Sequence, residues 1–299
     1  MLKWSRPDIE LICGEAASYG RERCLGSDTA PANIFLLSGK YDIKTAVEKG
    51  VLFRYYNGSK PNRRGYGFPL YNEPRDFAEL FDLMRSDAKE RGIPLEFCLC
   101  DERQKAVIDS ACYVEWKCTD DDSDYIYKRE SLATLSGKKL HRKRNHINSF
   151  NKIYDDVEYK PLDATTRSDA LAVAEQWLEE RAEGASADER SEFCSIQLAL
   201  ENMEALKLFG GVLYVDGSAA AMTVASEINS TMTDVHFEKA VGEYAENGAF
   251  TVINRCLASS SPSDHFNREE DMGIEGLRAA KESYYPAFKL RKFYGVCKC

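Results

Sequence analysis

Histidine is scarce in this sequence, and its cysteines are not arranged as metal-binding pairs. There are four histidines and ten cysteines among 299 residues. No CxxC pair occurs, and the nearest patterns are the CxC sequences at Cys98 and Cys100 and at Cys297 and Cys299. Structural zinc sites usually take their ligands from CxxC pairs and histidines, so we predict no metal site.

Long apolar runs are also missing. No segment approaches the roughly 18 consecutive apolar residues that a membrane-spanning helix needs. The N-terminal sequence MLKWSRPDIE lacks the apolar centre of a signal peptide. We therefore expect a cytoplasmic protein with no transmembrane segment, in which the reducing environment keeps the cysteines as thiols.

The formal net charge of -9 argues against a broad positive surface. With 43% hydrophobic residues the chain can bury a full core, and its length favours two domains over one. An acidic protein of this kind does not resemble a general nucleic-acid binder, which usually carries an extended basic face. Any anion-binding role must therefore come from a local feature.

One such feature is the segment from Gly137 to Tyr154, which carries six Lys/Arg residues and no acid. Wound as a helix, it places four apolar residues on one side and four polar residues roughly opposite. These are Leu140, Ile147, Phe150 and Tyr154, against His141, Asn145, Ser149 and Lys152. Two interpretations stay open: a solvated face paired with the nearby acids Asp120, Asp121, Asp122 and Asp124, or a face that binds a phosphate-bearing ligand or one arm of an RNA.

The predicted elements divide the chain into two halves. Residues 1–118 form a mixed α/β unit that ends near Cys118, and residues 119–299 form a second unit. After the basic helix, the second half predicts two helices, three antiparallel strands, a helix, a short strand and a last helix. The first two strands meet at Asp216 and Gly217, a dipeptide that favours a tight hairpin turn. This is the element order of the GNAT acyltransferase fold.

Three stretches carry a resemblance to a known family. They read YIYKRESLATLSGKKLHRKRNHINSF, VHFEKA and FNREEDMGIEGLRAAKESYYP. In these stretches the sequence resembles the uncharacterised bacterial family related to the C-terminal domain of phosphatidylglycerol lysyltransferases, and the resemblance covers nearly the whole chain. It implies an α+β fold class with two tandem GNAT-like domains, whose sheets are mixed and mainly antiparallel. It also implies kinship with Fem-type transferases, which take an amino acid from aminoacyl-tRNA.

The sequence departs from acetyl-CoA-dependent GNAT enzymes at one loop. Those enzymes grip pyrophosphate with a QxxGxG or RxxGxG loop, whose bare backbone N–H groups face the anion. The corresponding stretch here is VGEYAENGAFTV, in which Gly242 and Gly248 are too far apart to match. Aminoacyl-tRNA is therefore favoured over acyl-CoA as the donor co-substrate, and we expect no tightly bound cofactor.

Candidate catalytic residues come from two places. His236 and Glu238 alternate along a predicted strand, where either side chain could accept a proton from the attacking group. The alternative is a solvent-facing pair on a half-buried sheet. Asp271 is the third candidate, although it could instead cap a helix that begins near Gly273. No GxSxG elbow occurs, and no cysteine is marked as a nucleophile by a histidine partner.

Candidate substrate-binding residues lie in the basic segment, the predicted strands and the last helix. Lys281 and Tyr284 belong to the family signature, and the stem of Lys281 could alternatively cover an apolar face. The predicted set is Lys138, His141, Arg142, Arg144, Asn145, His146, Lys239, Asn267, Arg268, Glu269, Arg278, Lys281 and Tyr284.

Together these observations predict an acyltransferase whose site lies in the C-terminal half. We expect it to move an aminoacyl group from aminoacyl-tRNA to an amine or hydroxyl on a small molecule or lipid headgroup. One alternative is an acyl-CoA-dependent N-acyltransferase. The alternative from another class is a non-catalytic module that binds RNA or a phosphorylated metabolite.

Overall fold

The computed structural model describes residues 2–13, 23–72, 75–181 and 184–298. Its helices are α1 Ile9–Cys13, α2 Pro31–Leu36, α3 Ser38–Tyr41, α4 Phe77–Arg91, α5 Glu102–Asp109, α6 Arg129–Thr134, α7 His141–Ile153, α8 Arg167–Glu179, α9 Ala187–Glu201, α10 Gly242–Asn247, α11 Ala249–Ser260 and α12 Glu275–Glu282. Its strands are β1 Lys44–Glu48, β2 Val51–Asn57, β3 Arg64–Tyr66, β4 Glu96–Cys100, β5 Val114–Cys118, β6 Asp124–Lys128, β7 Val157–Pro161, β8 Phe209–Val215, β9 Ser218–Asn229, β10 Met232–Ala240, β11 His265–Asn267, β12 Phe288–Leu290 and β13 Phe293–Cys297.

The first compact unit comprises residues 1–124, 270–274 and 289–299. Its sheet has the strand order β1-β2-β3-β4-β13-β5. All pairs are antiparallel except β3 with β4, which run parallel. Helix α4 packs on this sheet and buries Phe77, Leu80, Phe81 and Met84 in an aromatic core with Phe97.

The boundary of this unit differs from the contiguous domain 1–118 expected from the sequence. The C-terminal strand β13 lies between β4 and β5, so residues from the end of the chain complete the first sheet. The sequence predicts no strand after the last helix. Sheet pairing, which is non-local, joins the chain ends without any local signal.

The second compact unit comprises residues 125–269 and 275–288. Its sheet has the order β12-β6-β11-β10-β9-β8-β7, with β10 and β11 parallel and β6–β11, β9–β10, β8–β9 and β7–β8 antiparallel. Its core contains Tyr127, Phe150, Leu257 and Phe266. The fold class is therefore α+β, with mixed, mainly antiparallel sheets in two compact units, as expected from the sequence.

Local chemistry explains where several elements begin and end. Asp76 caps α4 by accepting from the backbone N of Ala78, and α4 ends at Gly92 with a φ of 65°. Helix α9 starts with a capping box between Ser186 and Glu189. The predicted hairpin between β8 and β9 forms at Asp216 and Gly217, whose φ angles are 50° and 77°.

The nine described cysteines are free thiols. No disulfide joins any of the described cysteines. Burial raises the pKa of Cys98 and Cys100 well above the usual thiol range, which leaves them protonated and unreactive. Within the described ranges, no helix combines the length and the apolar character that crossing a bilayer requires.

Candidate active site

Glu238 lies where two parallel strands separate. Strand β11 pairs with β10 only from Met232 to Asp234, and β10 then continues alone on that side to Ala240. Glu238 projects from this continuation, and Arg268 follows directly after the end of β11. The fold thus brings a carboxylate and a guanidinium together at the opening between the strands.

Both carboxylate oxygens of Glu238 are held. Arg268 donates from Nη2 to Oε1 across 2.9 Å. Asn254 on α11 donates from Nδ2 to Oε2 across 3.1 Å. The side chains of Glu238 and Arg268 are 11% and 13% exposed. Charge-assisted hydrogen bonds in such a largely buried setting fix the position of the carboxylate.

Arg268 also lies over two tyrosine rings. Its guanidinium carbon is 5.0 Å from the ring centroid of Tyr284 and 5.8 Å from that of Tyr127. Burial by itself lowers the pKa of Arg268, but Glu238 and then the two tyrosines raise it above its usual value. Arg268 therefore stays charged at every pH at which the fold exists.

Two buried polar atoms beside Glu238 have unused hydrogen-bonding capacity. Nη1 of Arg268 and Oδ1 of Asn254 find no hydrogen-bond partner among the described residues. One is a donor and the other is an acceptor. A buried group of this kind usually has a partner in a native protein, so its lack marks a place where a ligand or water can complete the arrangement.

Lys143 on α7 is a functional candidate that the sequence expectation missed. Its Nζ lies 3.9 Å from the ring centroid of Tyr284, and the residue is half-buried. Burial, and then the charge of Arg268, lower the pKa of Lys143 to about 8 against the opposing effect of Glu238. We refer to Lys143, Glu238, Asn254, Arg268 and Tyr284 as the Glu238 site.

A sequence signal for Lys143 was present. Lys143 lies three residues after Leu140 and four before Ile147, which places it on the apolar side of the helix. A lysine among core-facing positions is unusual, because its charge must be compensated or its pKa must fall.

His236 has partners different from those of Glu238. A β-bulge between Val235 and Phe237 interrupts the regular alternation of β10. His236 is buried; its Nε2 lies 2.8 Å from Oγ of Ser226, and its Nδ1 lies 3.6 Å from carboxylate oxygens of both Asp234 and Glu269. The alternative of a solvent-facing pair is wrong for both His236 and Glu238.

These same contacts form a group that fits a metal ion. Asp234, His236 and Glu269 each offer one ligand atom, and the three atoms lie within 4.8 Å of one another. Two carboxylates and one imidazole are a common ligand set for divalent metals. The sequence did not predict this group because its third member, Glu269, comes from a different strand connection.

Several predicted binding residues support the loop that carries Arg268. The Lys281 ammonium is buried and donates to the backbone carbonyls of Arg268 and Glu269, at 2.6 and 3.2 Å. The Asn267 side chain accepts from the backbone N of Glu269, whose φ is 56°. Tyr284 is buried, and its hydroxyl lies 3.4 Å from Oγ1 of Thr251.

Other predicted residues are directed elsewhere. Lys239 donates to Glu192 across 2.7 Å and lies 3.7 Å from the ring centroid of Trp177, so it faces helices α8 and α9. Asp271 belongs to the first compact unit and accepts from the backbone N of Gly273 across 2.9 Å. This contact closes a turn, while α12 itself begins at Glu275 rather than near Gly273. Arg278 is half-buried on α12.

The basic segment forms helix α7 with the predicted apolar side inward. Leu140, Ile147, Phe150 and Tyr154 are buried. The exposed candidates are Lys138, His141, Arg142, Asn145 and His146. Arg144 is different because its Nη1 donates to the carbonyls of Leu135 and Gly137 and fixes the turn before the helix.

Two of the acids that precede α7 in the sequence have partners within the first compact unit. Asp122 pairs with Arg63, and Asp124 pairs with Lys292. Among the residues that the structure describes, no carboxylate forms an ion pair with a lysine or arginine of α7. The exposed basic groups of this helix, such as Arg142, are available to solvent or to a ligand.

The loop that corresponds to the pyrophosphate-binding loop of acetyl-CoA-dependent enzymes already forms a hydrogen bond within the protein. The backbone N of Gly242 donates to Oε1 of Glu180 across 2.9 Å. The short helix α10 then precedes Gly248 and α11. A carboxylate at this position repels the anion that a glycine-rich loop would bind.

Comparison with known proteins places these features in a family. The family profile described as phosphatidylglycerol lysyltransferase, C-terminal, matches residues 23–295. A conserved protein of unknown function from Bacteroides thetaiotaomicron has a similar structure, with a TM-score of 0.91, 29% identity and full coverage of both chains. L-PGS from Bacillus licheniformis has a TM-score of 0.65 at 13% identity, covering 98% of this chain and 92% of that one.

Two further proteins are also similar to this chain. The C-terminal domain of a protein described as a lysylphosphatidylglycerol synthetase, from Agrobacterium fabrum, has a TM-score of 0.65 at 14% identity and covers 94% of this chain and 90% of that one. An uncharacterized protein of Mycoplasmoides gallisepticum is 24% identical over 173 residues, which are 57% of this chain and only 55% of that protein. The profile match spans most of the sequence, and the chain therefore belongs to the phosphatidylglycerol lysyltransferase C-terminal family.

Proposed function

We propose that this protein is an acyltransferase that moves an aminoacyl group from aminoacyl-tRNA to an amine or hydroxyl acceptor, and that the Glu238 site is where transfer occurs. The observation that carries the proposal is the arrangement of Glu238, Arg268 and Lys143 at the opening between parallel strands. It combines a carboxylate and a guanidinium that hold each other in place with a lysine amine that forms no ion pair with any described residue.

The chemistry of aminoacyl transfer suits such a site. An aminoacyl ester is already activated, so the protein must position the acceptor and stabilise the negative charge that develops on the carbonyl oxygen. Nη1 of Arg268 is a buried donor without a hydrogen-bond partner in the described chain, which suits a developing oxyanion. Glu238 and Oδ1 of Asn254 are acceptors that suit an ammonium group of the transferred amino acid.

The choice of donor rests on two features. The hydrogen bond from Gly242 to Glu180 disfavours an acyl-CoA pyrophosphate at the loop before α11. The exposed basic groups of α7 and of the turn before it, which include Arg142 and Lys138, suit the phosphates of a tRNA acceptor arm. The family name supports an aminoacyl acceptor of the phosphatidylglycerol type, and a lipid headgroup or a small polar molecule are the two acceptor classes to test.

The test measures consumption of the aminoacyl ester of the donor. Bulk tRNA charged with labelled amino acids is incubated with the protein and either phosphatidylglycerol vesicles or a deproteinised small-molecule extract, and loss of the ester is measured. We expect the wild-type protein to accelerate loss with one acceptor class, and the E238Q variant to be at least about 10²-fold slower. E227Q is the matched control, because Glu227 is an exposed residue of β9.

Two results would redirect the assignment. Consumption of acetyl-CoA with no consumption of charged tRNA would favour the acyl-CoA alternative. Binding of tRNA without turnover of either donor would favour the non-catalytic module.

A further inference from the structure

Lys143 is the only member of the Glu238 site whose charged group has neither a hydrogen bond nor an ion pair with any described residue. Its Nζ instead lies 3.9 Å from the ring centroid of Tyr284. The same ring has the guanidinium carbon of Arg268 at 5.0 Å. Two cationic side chains therefore share one aromatic ring, although only one carboxylate is nearby.

That carboxylate is committed to other partners. Oε1 of Glu238 accepts from Arg268 and Oε2 accepts from Asn254. Glu238 therefore suits orientation and charge compensation better than proton uptake.

The groups that face Lys143 come from three elements. Glu238 lies on β10, Arg268 follows β11, and Tyr284 follows α12. Burial raises the pKa of the Tyr284 hydroxyl, so this ring is neutral in the physiological range. One carboxylate and two cationic side chains leave an excess positive charge. Lys143 can remove this excess by losing its proton, whereas Arg268 cannot.

We propose that Lys143 is the proton acceptor of this site and therefore a catalytic residue of the aminoacyl transfer proposed above, on which this inference rests. The neutral Nζ takes the proton from the attacking amine or hydroxyl as that group forms a bond to the ester carbonyl carbon. The bond from this carbon to the ribose oxygen then breaks. The proton on Lys143 passes to the departing ribose oxygen, so Lys143 returns to its starting state.

The first experiment measures the protonation of Lys143 in the absence of aminoacyl-tRNA. The folded protein is labelled with limiting acetic anhydride over a range of pH, and acetylation of each lysine is followed by peptide mass spectrometry. We expect half-maximal labelling of Lys143 near pH 8. Lys152, an exposed lysine of the same helix, is the control. A midpoint for Lys143 that coincides with that of Lys152 would overturn the proposal.

The second experiment measures turnover of the aminoacyl-tRNA donor. K143M and K143R are compared with wild type and K152M in the charged-tRNA assay from pH 6.5 to 9.5. We expect both Lys143 variants to lose about 10²-fold in kcat. The rise in rate toward pH 8 should also disappear, since arginine keeps the charge but cannot release a proton. Turnover by K143M equal to wild type would overturn the proposal.

The two experiments distinguish a failure of the proposed aminoacyl transfer from a failure of the role of Lys143 alone. A wild-type protein that consumes no charged tRNA with any acceptor contradicts the proposed function, whatever the labelling midpoint. Normal turnover combined with a Lys143 midpoint near that of Lys152 contradicts the role of Lys143 alone.

Discussion

Arg268 donates a hydrogen bond to Glu238 across 2.9 Å and thereby links the end of β11 to the unpaired continuation of β10. The pair spans the point at which the two parallel strands separate. Its position explains why two residues 30 apart in the sequence form one site. It also makes the site dependent on every contact that holds the loop after β11.

The first prediction concerns this ion pair. Changing Arg268 to Met leaves the largely buried Glu238 carboxylate without its main partner, and we expect a loss of roughly 3 kcal/mol in the free energy of unfolding. The combined variant R268M/E238Q should recover much of that loss because no unpaired charge remains. Urea denaturation of the four proteins in this double-mutant cycle measures the coupling, and additive effects would contradict it.

The second prediction concerns Lys281. Its ammonium donates to the carbonyls of Arg268 and Glu269, so K281M should destabilise the protein by about 2 kcal/mol through unsatisfied carbonyl groups. K152M, which alters an exposed lysine, should leave the unfolding free energy within about 0.5 kcal/mol of wild type. Equal stability of K281M and wild type would show that Lys281 is not needed to hold this loop.

The third prediction concerns pH and stability. The folded-state pKa of Lys143 is lowered to about 8, whereas the usual lysine pKa is about 10.4. Between these two pH values the unfolded chain therefore binds more protons than the folded protein. The wild-type contribution of Lys143 to stability is therefore unfavourable below pH 8, and this cost disappears as the pH rises toward about 10.4. K143M should be more stable than wild type at pH 7, and the difference should shrink at pH 10. Parallel urea titrations at both values test the sign.

The fourth prediction separates two arginines of the basic helix. Arg142 is exposed, so R142E should weaken tRNA binding and lower the salt slope by about one without affecting stability. Arg144 holds the carbonyls of Leu135 and Gly137, so R144E should destabilise the fold by about 1–3 kcal/mol. A substitution of both arginines would confuse binding with folding, and single variants with unfolding controls are needed. Tight tRNA binding by R142E would contradict a role for this face.

Elements with strong local chemistry were predictable from sequence. The helix from His141 to Ile153 and the hairpin at Asp216 and Gly217 follow from apolar spacing and from residues that tolerate positive φ. The strand pair β8 and β9 and helix α11 followed in the same way. Short strands such as β6 and β7 escaped prediction because they contain few residues and mixed polarity, and pairing with distant strands stabilises them.

The site was predictable only in part. Glu238 and Arg268 belonged to the expected set, but their mutual contact depends on strand pairing that a single sequence does not reveal. Lys143 carried a signal in its helical position, which was obscured by the five other basic residues of the same segment. Lys281 and Asn267 belong to the expected set but serve the backbone around Arg268, a role that depends on tertiary contacts.

Binding of charged and uncharged bulk tRNA to the purified protein, measured over a series of salt concentrations, tests the central claim most directly. Recognition of the aminoacyl group at the Glu238 site predicts tighter binding of the charged form, and contacts with the α7 face predict a steep loss of affinity with salt. Replacing Glu238 with Gln should remove the preference for the charged form while leaving the salt slope unchanged. Equal binding of both forms, or no binding at low salt, would contradict the assignment of aminoacyl-tRNA as the donor.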